Sequence, residues 1–247
     1  MITKYIPAVL LGGVLLTSGV AFASGAEHWS YSGETGPENW AKLTPEFGAC
    51  SGKNQSPINL TGFIEAELKP IKFSYQAGGN EILNNGHTVQ INYAAGSSIV
   101  VDGIKFDLKQ FHFHAPSENN INGKSYALEA HLVHADKDGN LAVIALMFKE
   151  GAENKALAKI WSSMPKNPGE KIALPSPFAV AQLLPAKQDY YRFNGSLTTP
   201  PCTEGVRWLV IKKPLSASKE QVEAFSHVMH HPNNRPVQPV NSRPVLQ

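Results

Sequence analysis

The sequence predicts a single, mainly β domain of the α+β class with a few short peripheral helices. Its apolar residues fall in short runs that are rich in Val, Ile, Phe and Tyr and bounded by Gly, Asn or Pro, which is typical of β-strands. No internal repeat, low-complexity run or linker divides the 247 residues, a length that suits one large domain or two small ones. The predicted strands are Ile71–Tyr75, Glu81–Leu83, Thr88–Tyr93, Ser98–Val101, Lys105–His114, Tyr126–Ala135, Leu141–Lys149, Tyr190–Asn194 and Val206–Lys212.

Three helices are predicted among these strands. In Asn154–Met164 the apolar residues recur at helical spacing, and the pattern stops before a proline. Ser218–His230 opens with Ser218 and Gln221 at the spacing of a capping box. A shorter helix is predicted at Phe178–Leu183. The coarse pattern is therefore mainly β with peripheral helices in one domain.

Composition and charge narrow the class of protein. The chain is 42% hydrophobic and 17% charged, which is typical of a globular protein. Its formal net charge is +2, and no block of basic residues occurs. Nothing in the charge pattern therefore predicts a nucleic-acid partner.

Residues 1–23 have the pattern of a secretory signal peptide. Lys4 supplies a positive first segment, an apolar run follows, and Ala21-Phe22-Ala23 fits a cleavage site with small residues. A membrane anchor is the alternative, but the apolar run is short for a helix that needs about 20 residues to span a bilayer. We therefore expect a folded domain over 24–247 that is periplasmic or secreted and is not attached to the membrane after cleavage.

The chain has two cysteines, Cys50 and Cys202. In an exported protein an even pair suggests one disulfide, and two buried free thiols are the alternative.

Histidines on two neighbouring strands form the most informative pattern. Side chains two residues apart on a strand share a face, so Gln110, His112 and His114 point the same way, with phenylalanines between them on the other face. Glu129 and His131 form a second such set. Turn chemistry between the two runs, including Asn-Gly, indicates that the strands are antiparallel neighbours. The three imidazoles are therefore predicted to converge.

Three convergent histidines predict a catalytic zinc site. Zinc held by three neutral ligands keeps a fourth position for water, whereas structural zinc is usually closed by four protein ligands. Gln110 and Glu129 can accept the second N–H of the ligating histidines. The alternative for any one of these histidines is an ordinary core or surface side chain.

These residues resemble an α-class carbonic anhydrase. The motifs are FHFH-x-PSE at 111–118, LEAHLVH at 128–134 and GSLTTPPC at 195–202, together with QSPI at 55–58, NGH at 85–87 and NNRP at 233–236. The resemblance runs from about His28 to the C-terminus. It implies a large twisted, mostly antiparallel central sheet with one zinc ion at the base of a conical cleft. It also implies reversible hydration of CO₂ to bicarbonate and a proton, by attack of zinc-bound hydroxide.

The resemblance implies a role for each matching residue. His112, His114 and His131 would bind zinc. Gln110, Glu129 and the backbone carbonyl of Asn241 would accept hydrogen bonds from these ligands. Thr198 would accept a hydrogen bond from the hydroxide and donate one to Glu118, and Thr199 would position bicarbonate. The apolar wall for CO₂ would comprise Val133, Val143, Leu197, Val206 and Trp208. The resemblance also favours a disulfide between Cys50 and Cys202.

His87 is implied as the proton shuttle, since a side chain that titrates near pH 6.5 can accept and release a proton at neutral pH. Tyr31, Asn85 and Gln90 would organise the water chain to it. Weak esterase activity would be secondary. The alternative to an enzyme is a related domain that keeps the fold for adhesion or scaffolding, although such domains typically lack one or more of the metal histidines.

The remaining histidines carry weaker expectations. His134 should lie on the opposite face of its strand from His131. His227, His230 and His231 have helical spacing and would form either a second metal site or, as we expect, a solvated helix end. The oligomeric state is left open between monomer and homodimer.

Overall fold

The computed structural model describes residues 28–247, so the predicted signal peptide at 1–23 lies outside the described residues. No helix in the described part is long and apolar enough to cross a membrane. The helices are α1 Trp40–Leu43, α2 Lys155–Trp161 and α3 Lys219–Met229, and the strands are β1 Asn59–Leu60, β2 Lys72–Ser74, β3 Gly79–Asn84, β4 Val89–Tyr93, β5 Ser98–Val101, β6 Ile104–His114, β7 Asn120–Ile121, β8 Leu128–Ala135, β9 Leu141–Glu150, β10 Lys171–Phe178, β11 Tyr190–Ser196, β12 Glu204–Ile211 and β13 Leu215–Ala217.

One sheet of eleven strands dominates the fold, as predicted. Its main path runs β10-β3-β4-β6-β8-β9-β12-β11, with β5 beside β6, β2 beside β5 and β13 beside β9. Within this sheet of the described residues only β9 makes parallel pairs, with β12 and β13, so the sheet is mixed but mostly antiparallel. A separate two-stranded sheet joins β1 and β7.

All nine predicted strands are present, but β10 was missed. Its sequence contains Pro175 and Pro177, which break the usual strand pattern. Within the described chain β10 pairs only with β3, so it is an edge strand, where proline is tolerated because one row of N–H groups needs no partner. The strands β1, β7 and β13 are two or three residues long and too short to show periodicity.

The predicted helix starts are confirmed by their caps. Asn154 accepts hydrogen bonds from the backbone N–H groups of residues 156 and 157 at the start of α2. Ser218 and Gln221 form the reciprocal capping box of α3. The third predicted helix is a short 3₁₀ helix, Val180–Leu183. The four-residue α1 was not predicted.

The alternation of side chains along β6 and β8 separates an apolar back face from a functional front face. On the back, Phe111, Phe113 and Leu132 are fully buried in the larger hydrophobic core. The front face carries the three predicted metal histidines and borders a smaller apolar cluster that includes Val143 and Trp208. The larger core thus supports the strands from which the site is built.

Candidate metal centre

Strand register brings the three histidines together. Strands β6 and β8 are antiparallel, with His112 opposite His131 and His114 opposite Glu129. The ring centroids of the three histidines lie 4.6–5.3 Å apart. One ring nitrogen from each lies within 4.8 Å of the others, and no other group of three metal-binding side chains this close occurs in residues 28–247.

Hydrogen bonds select the nitrogens of His112 and His131 that are free to bind metal. Nδ1 of His112 lies 2.8 Å from Oε1 of Gln110, and Nε2 of His131 lies 2.9 Å from Oε1 of Glu129. These oxygens can only accept, so the facing nitrogens carry the hydrogen. The lone pairs therefore remain on Nε2 of His112 and Nδ1 of His131. Gln110 and Glu129 thus lie where the sequence predicted them.

The third partner is Asn233, and the prediction of Asn241 was wrong. The backbone carbonyl of Asn233 accepts from Nδ1 of His114 at 2.7 Å, which leaves Nε2 of His114 unprotonated. Asn241 lies on the exposed surface, and its side-chain amide donates to the carbonyl of Lys53. Asn233 is held beside His114 because its side-chain oxygen also accepts a hydrogen bond, at 2.9 Å, from the N–H of Ala115, the residue that follows β6.

Burial keeps the three imidazoles neutral. His114 and His131 are each 1% exposed, whereas His112 is partly exposed and marks the open side of the cluster. Burial lowers the pKa of His114, and burial together with neighbouring imidazoles lowers the pKa of His112 and His131. Neutral imidazole is the form that binds metal, so no proton has to be displaced at neutral pH.

Two buried polar atoms at the centre have no hydrogen-bond partner. They are Nε2 of His114 and Oε2 of Glu118, which lie 3.5 Å apart. A lone pair and a carboxyl oxygen that face each other without a donor repel, and a buried unpaired polar atom costs about 1–3 kcal/mol. A cation held by the three histidines would give His114 its missing partner, so this donor set fits a zinc ion.

Both buried carboxyl groups are held by donors. Glu129 accepts from the backbone N–H groups of Glu118 and Asn119, at 2.7 and 2.8 Å, and from the amide of Asn119 at 2.7 Å. Glu118 accepts from the N–H of Arg235 at 2.9 Å. Burial raises the pKa of Glu129 and of Glu118, and these hydrogen bonds act in the opposite direction because they stabilise the carboxylates.

The loop between β11 and β12 brings Thr198 to Glu118. Thr198 is 5% exposed, and its hydroxyl also lowers the pKa of Glu118. The Cys50–Cys202 disulfide confirms the predicted pairing and ties this loop to the N-terminal part of the domain. Thr199, which is partly exposed, accepts at its carbonyl from the N–H of Cys202 at 2.9 Å. Cys202 thus fixes the loop on the C-terminal side of the two threonines.

An apolar wall borders the histidines. Val133, Val143 and Trp208 lie directly opposite one another on β8, β9 and β12. The Trp208 ring lies edge-on to His131, with 4.8 Å between ring centroids. All five predicted wall residues belong to one hydrophobic cluster, in which Val143, Val206 and Trp208 are buried and Val133 and Leu197 are partly buried.

His87 is partly exposed and lies in an aromatic cluster. Its ring stacks on the indole of Trp29, with 3.7 Å between centroids and 9° between planes, and Tyr31 lies edge-on at 6.5 Å. Oδ1 of Asn85 accepts from the N–H groups of His87 and Thr88, so Asn85 shapes the turn that carries His87. A fourth predicted residue, Gln90, pairs in register with His112 on β4 and β6.

The remaining histidines considered in the sequence lie in separate places. His134 is buried on the back face, as expected. The rings of His227 and His230 lie 6.0 Å apart at the end of α3, whereas His231 packs 5.9 Å from Tyr31. The three side chains therefore do not converge on one metal position.

Sequence reasoning missed Asn233, Asn119 and Trp29 as parts of the site. For Asn233 a signal was present, because the NNRP motif at 233–236 was already part of the resemblance. For Trp29 and Asn119 no periodicity or spacing pointed to the site, since both contacts join segments that are distant in sequence or lie in loops.

Comparisons with known proteins agree with this geometry. A family model for eukaryotic-type carbonic anhydrase matches residues 35–247. The carbonic anhydrase of Pectobacterium atrosepticum is 50% identical over 227 residues, or 92% of this chain and 93% of that protein. That of Neisseria gonorrhoeae is 46% identical over 243 residues, or 96% of each chain. The structure of α-carbonic anhydrase from Thermovibrio ammonificans with the inhibitor sulfanilamide matches with a TM-score of 0.89 at 50% identity, covering 90% of this chain and 100% of that one.

These similarities extend over nearly all of the described residues, and they agree with the fold as well as the sequence. The front face of the sheet assembles the three histidines with free nitrogens, the two buried carboxyl groups and the apolar wall that such an enzyme requires. The chain belongs to the α-class carbonic anhydrases, the zinc enzymes that reversibly hydrate carbon dioxide to bicarbonate and a proton.

Proposed function

We propose that His112, His114 and His131 hold one zinc ion per chain through Nε2, Nε2 and Nδ1, respectively. The observation that carries this proposal is the convergence of three neutral lone pairs around a buried nitrogen, Nε2 of His114, that has no hydrogen-bond partner among residues 28–247. The three second nitrogens are fixed by Gln110, Asn233 and Glu129, so the ring orientations are set before metal binds.

When bound, zinc lowers the pKa of a coordinated water to about 7, a value for which carbonic anhydrase is itself the reference system. Three uncharged imidazoles leave the positive charge of the ion undiminished, whereas a carboxylate ligand would reduce it. Glu118 and Glu129 are held by backbone and side-chain donors, and Oε2 of Glu118 remains 3.5 Å from the metal-facing Nε2 of His114.

Thr198 orients the attacking oxygen in this proposal. Its hydroxyl has one hydrogen, and donation of that hydrogen to Glu118 leaves only lone pairs for other contacts. Thr198 can then only accept a hydrogen bond from the attacking water, which turns a lone pair of that water toward the substrate. Thr199, next in the same loop, would position bicarbonate.

The apolar wall provides the place for CO₂. The substrate has no charge and no strong hydrogen-bonding group, so its site must be apolar and close to the reacting oxygen. Val143, Val206 and Trp208 are buried, and the edge-on contact of Trp208 with His131 places this wall beside the histidine cluster.

His87 is proposed to carry the released proton out of the site. Support comes from its partial exposure, whereas His114 and His131 are buried, and from Asn233, whose amide donates to the carbonyl of His87 and whose own carbonyl accepts from His114. Tyr31, Asn85 and Gln90 would organise the water between them.

We further propose that the enzyme is exported by the signal peptide at 1–23. Support comes from the disulfide between Cys50 and Cys202, because disulfides persist in oxidising compartments such as the periplasm.

Removal and return of the metal test this function. CO₂ hydration by the purified protein is measured by stopped flow with a pH indicator, before and after chelation and after addition of zinc. We expect activity to vanish with the metal and to return at one zinc per chain. Hydration that survives complete removal of zinc would contradict the proposal, and no hydration at one zinc per chain would favour the adhesion or scaffold alternative.

A further inference from the structure

Two histidines from separate segments pack against Tyr31, and a third histidine packs against one of the two. His28 comes from the N-terminal segment, His87 from the turn between β3 and β4, and His231 from the segment that follows α3. The ring of His28 lies 6.2 Å from that of His87. Tyr31 packs against both other rings, at 6.5 Å from His87 and 5.9 Å from His231. Tyr31 therefore contacts both the proposed shuttle and His231.

The segment that carries His231 is fixed to the metal centre. Two residues further on, the amide of Asn233 donates to the backbone carbonyls of His87 and Phe113, at 3.0 and 2.9 Å. The carbonyl of Asn233 accepts from the metal-facing His114 at 2.7 Å. Asn233 thus ties together the shuttle turn, the strand of two metal ligands and the base of the His231 segment, and holds His231 in a defined position relative to all of them.

One nitrogen of His231 is prepared to accept a proton. Nδ1 of His231 lies 3.0 Å from the carbonyl oxygen of Pro232, so Nδ1 carries the hydrogen of the neutral ring. Nε2 then keeps its lone pair, and the side chain is exposed to solvent. By contrast, His87 is partly covered by the indole of Trp29. His231 is therefore better placed than His87 to exchange protons with buffer.

We propose that His231 is a proton relay that accepts the proton from His87 and passes it to solvent, an inference that rests on the proposed role of His87. The imidazolium of His87 loses an N–H proton to water, and Nε2 of neutral His231 gains one. Loss of the second, Nε2-bound proton of His231 to buffer then restores the neutral ring. Each transfer moves one proton and leaves both rings in their starting forms after a cycle.

The charges around His87 favour this direction of transfer. Burial lowers the pKa of His87, and positive charge on His28 or His231 lowers it further. The titratable groups that face His87 are His28, Tyr31 and His231, and burial raises the pKa of Tyr31, which therefore stays neutral. A His87 with a lowered pKa releases its proton readily to an exposed imidazole.

The test compares His231→Gln with His227→Gln as a matched control. Both histidines are exposed, but His231 packs against Tyr31, whereas His227 packs against His230. Zinc-loaded enzymes are assayed for CO₂ hydration at low and high imidazole buffer. Because an imidazole that can take up and release a proton is replaced by a side chain that cannot, we expect His231→Gln to lower kcat by about two- to fivefold at low buffer only. We expect kcat/KM, which reports CO₂ attack, to be unchanged, and the control to match the wild type.

The same substitution in a His87→Ala background tests the order of transfer. If the proton passes through His87, His231→Gln has no further effect on kcat in that background. An equal loss in both backgrounds would overturn the relay through His87, and an unchanged kcat in the single variant would overturn the role of His231. An inactive wild type at one zinc per chain would instead count against the proposed function.

A titration provides a readout that does not depend on activity. The pKa of His87 is measured by NMR on the ring resonances of the zinc-loaded protein. Removal of the His231 charge should raise the pKa of His87 relative to wild type, while His227→Gln leaves it unchanged. No change in His231→Gln would show that the two rings are not coupled and would contradict the proposal.

Discussion

The two faces of strand β8 use buried histidines in opposite ways. His131 on the front and His134 on the back are three residues apart and almost completely buried, and burial lowers the pKa of both. Both nitrogens of His134 are paired, because Nδ1 donates to the carbonyl of Ala142 at 3.2 Å and Nε2 accepts from the hydroxyl of Tyr75 at 2.8 Å. His131 donates from Nε2 to Glu129 and keeps a lone pair on Nδ1.

The difference shows that burial and a lowered pKa do not by themselves identify a metal ligand. What distinguishes the front face is an unpaired nitrogen on each ring and the convergence of three such nitrogens. On the back face, the Tyr75 ring stacks on His134, and the polar pair is complete without any ligand. Counting the partners of each ring nitrogen separates a structural histidine from a candidate ligand.

Substitution of Glu129 by glutamine should lower the zinc affinity of the three front-face histidines, and this is the largest effect expected here. Glutamine has a neutral oxygen acceptor and adds an N–H₂ donor that would face the donors of residues 118 and 119. Loss of such a partner of a ligating histidine typically costs 10–100-fold in metal affinity, and we expect a loss in that range. Zinc affinity is measured by competition with a chelator.

The control is Glu223→Gln, which removes an exposed carboxylate on α3 that pairs with Lys219 at 3.4 Å. Its zinc affinity should equal that of the wild type. If Glu129→Gln binds zinc as tightly as the control, the orientation of His131 does not depend on Glu129, and the contrast with the back face loses its main support.

Substitution of His134 by glutamine tests the back face through the pH dependence of stability. The unfolded chain binds a proton on His134 near pH 6.5, whereas burial lowers the pKa to about 4 in the folded protein. Between these values the unfolded state binds more protons, so stability falls as the pH falls. From pH 7 to pH 5 we expect the wild type to lose about 2 kcal/mol more than His134→Gln.

Urea unfolding of the zinc-loaded proteins at the two pH values measures this difference. His227→Gln is the control, since His227 is exposed on α3 and its loss should leave the acid-side decrease of the wild type intact. Equal decreases in His134→Gln and the wild type would mean that His134 is protonated in the folded protein, against the complete pairing of its nitrogens.

Much of this fold and site follows from alternation along strands. The i, i+2 pattern in β6 and β8 predicted which side chains share a face, and register then brought His112 opposite His131. Contacts between distant segments do not leave such a pattern. The carbonyl of Asn233 reaches His114 through the path of the chain after α3, and Asn241 was assigned by position in sequence only.

The packing around His87 and Tyr31 was the part of the site that the sequence predicted least. The stacking of Trp29 on His87 and the approach of His231 to Tyr31 depend on how three loops pack, and no periodicity connects them. Edge strand β10 was hidden for another reason, because its prolines are compatible with a strand only where one side needs no hydrogen bonds.

Zinc content and CO₂ hydration of His131→Ala, measured beside those of His134→Gln at neutral pH, test whether the front face is the metal centre. The two positions share a strand and nearly the same burial, so the pair isolates the free nitrogen as the difference. We expect His131→Ala to lose bound zinc and hydration, and His134→Gln to keep both. Full zinc content and activity in His131→Ala would contradict the assignment of the front face as the metal centre.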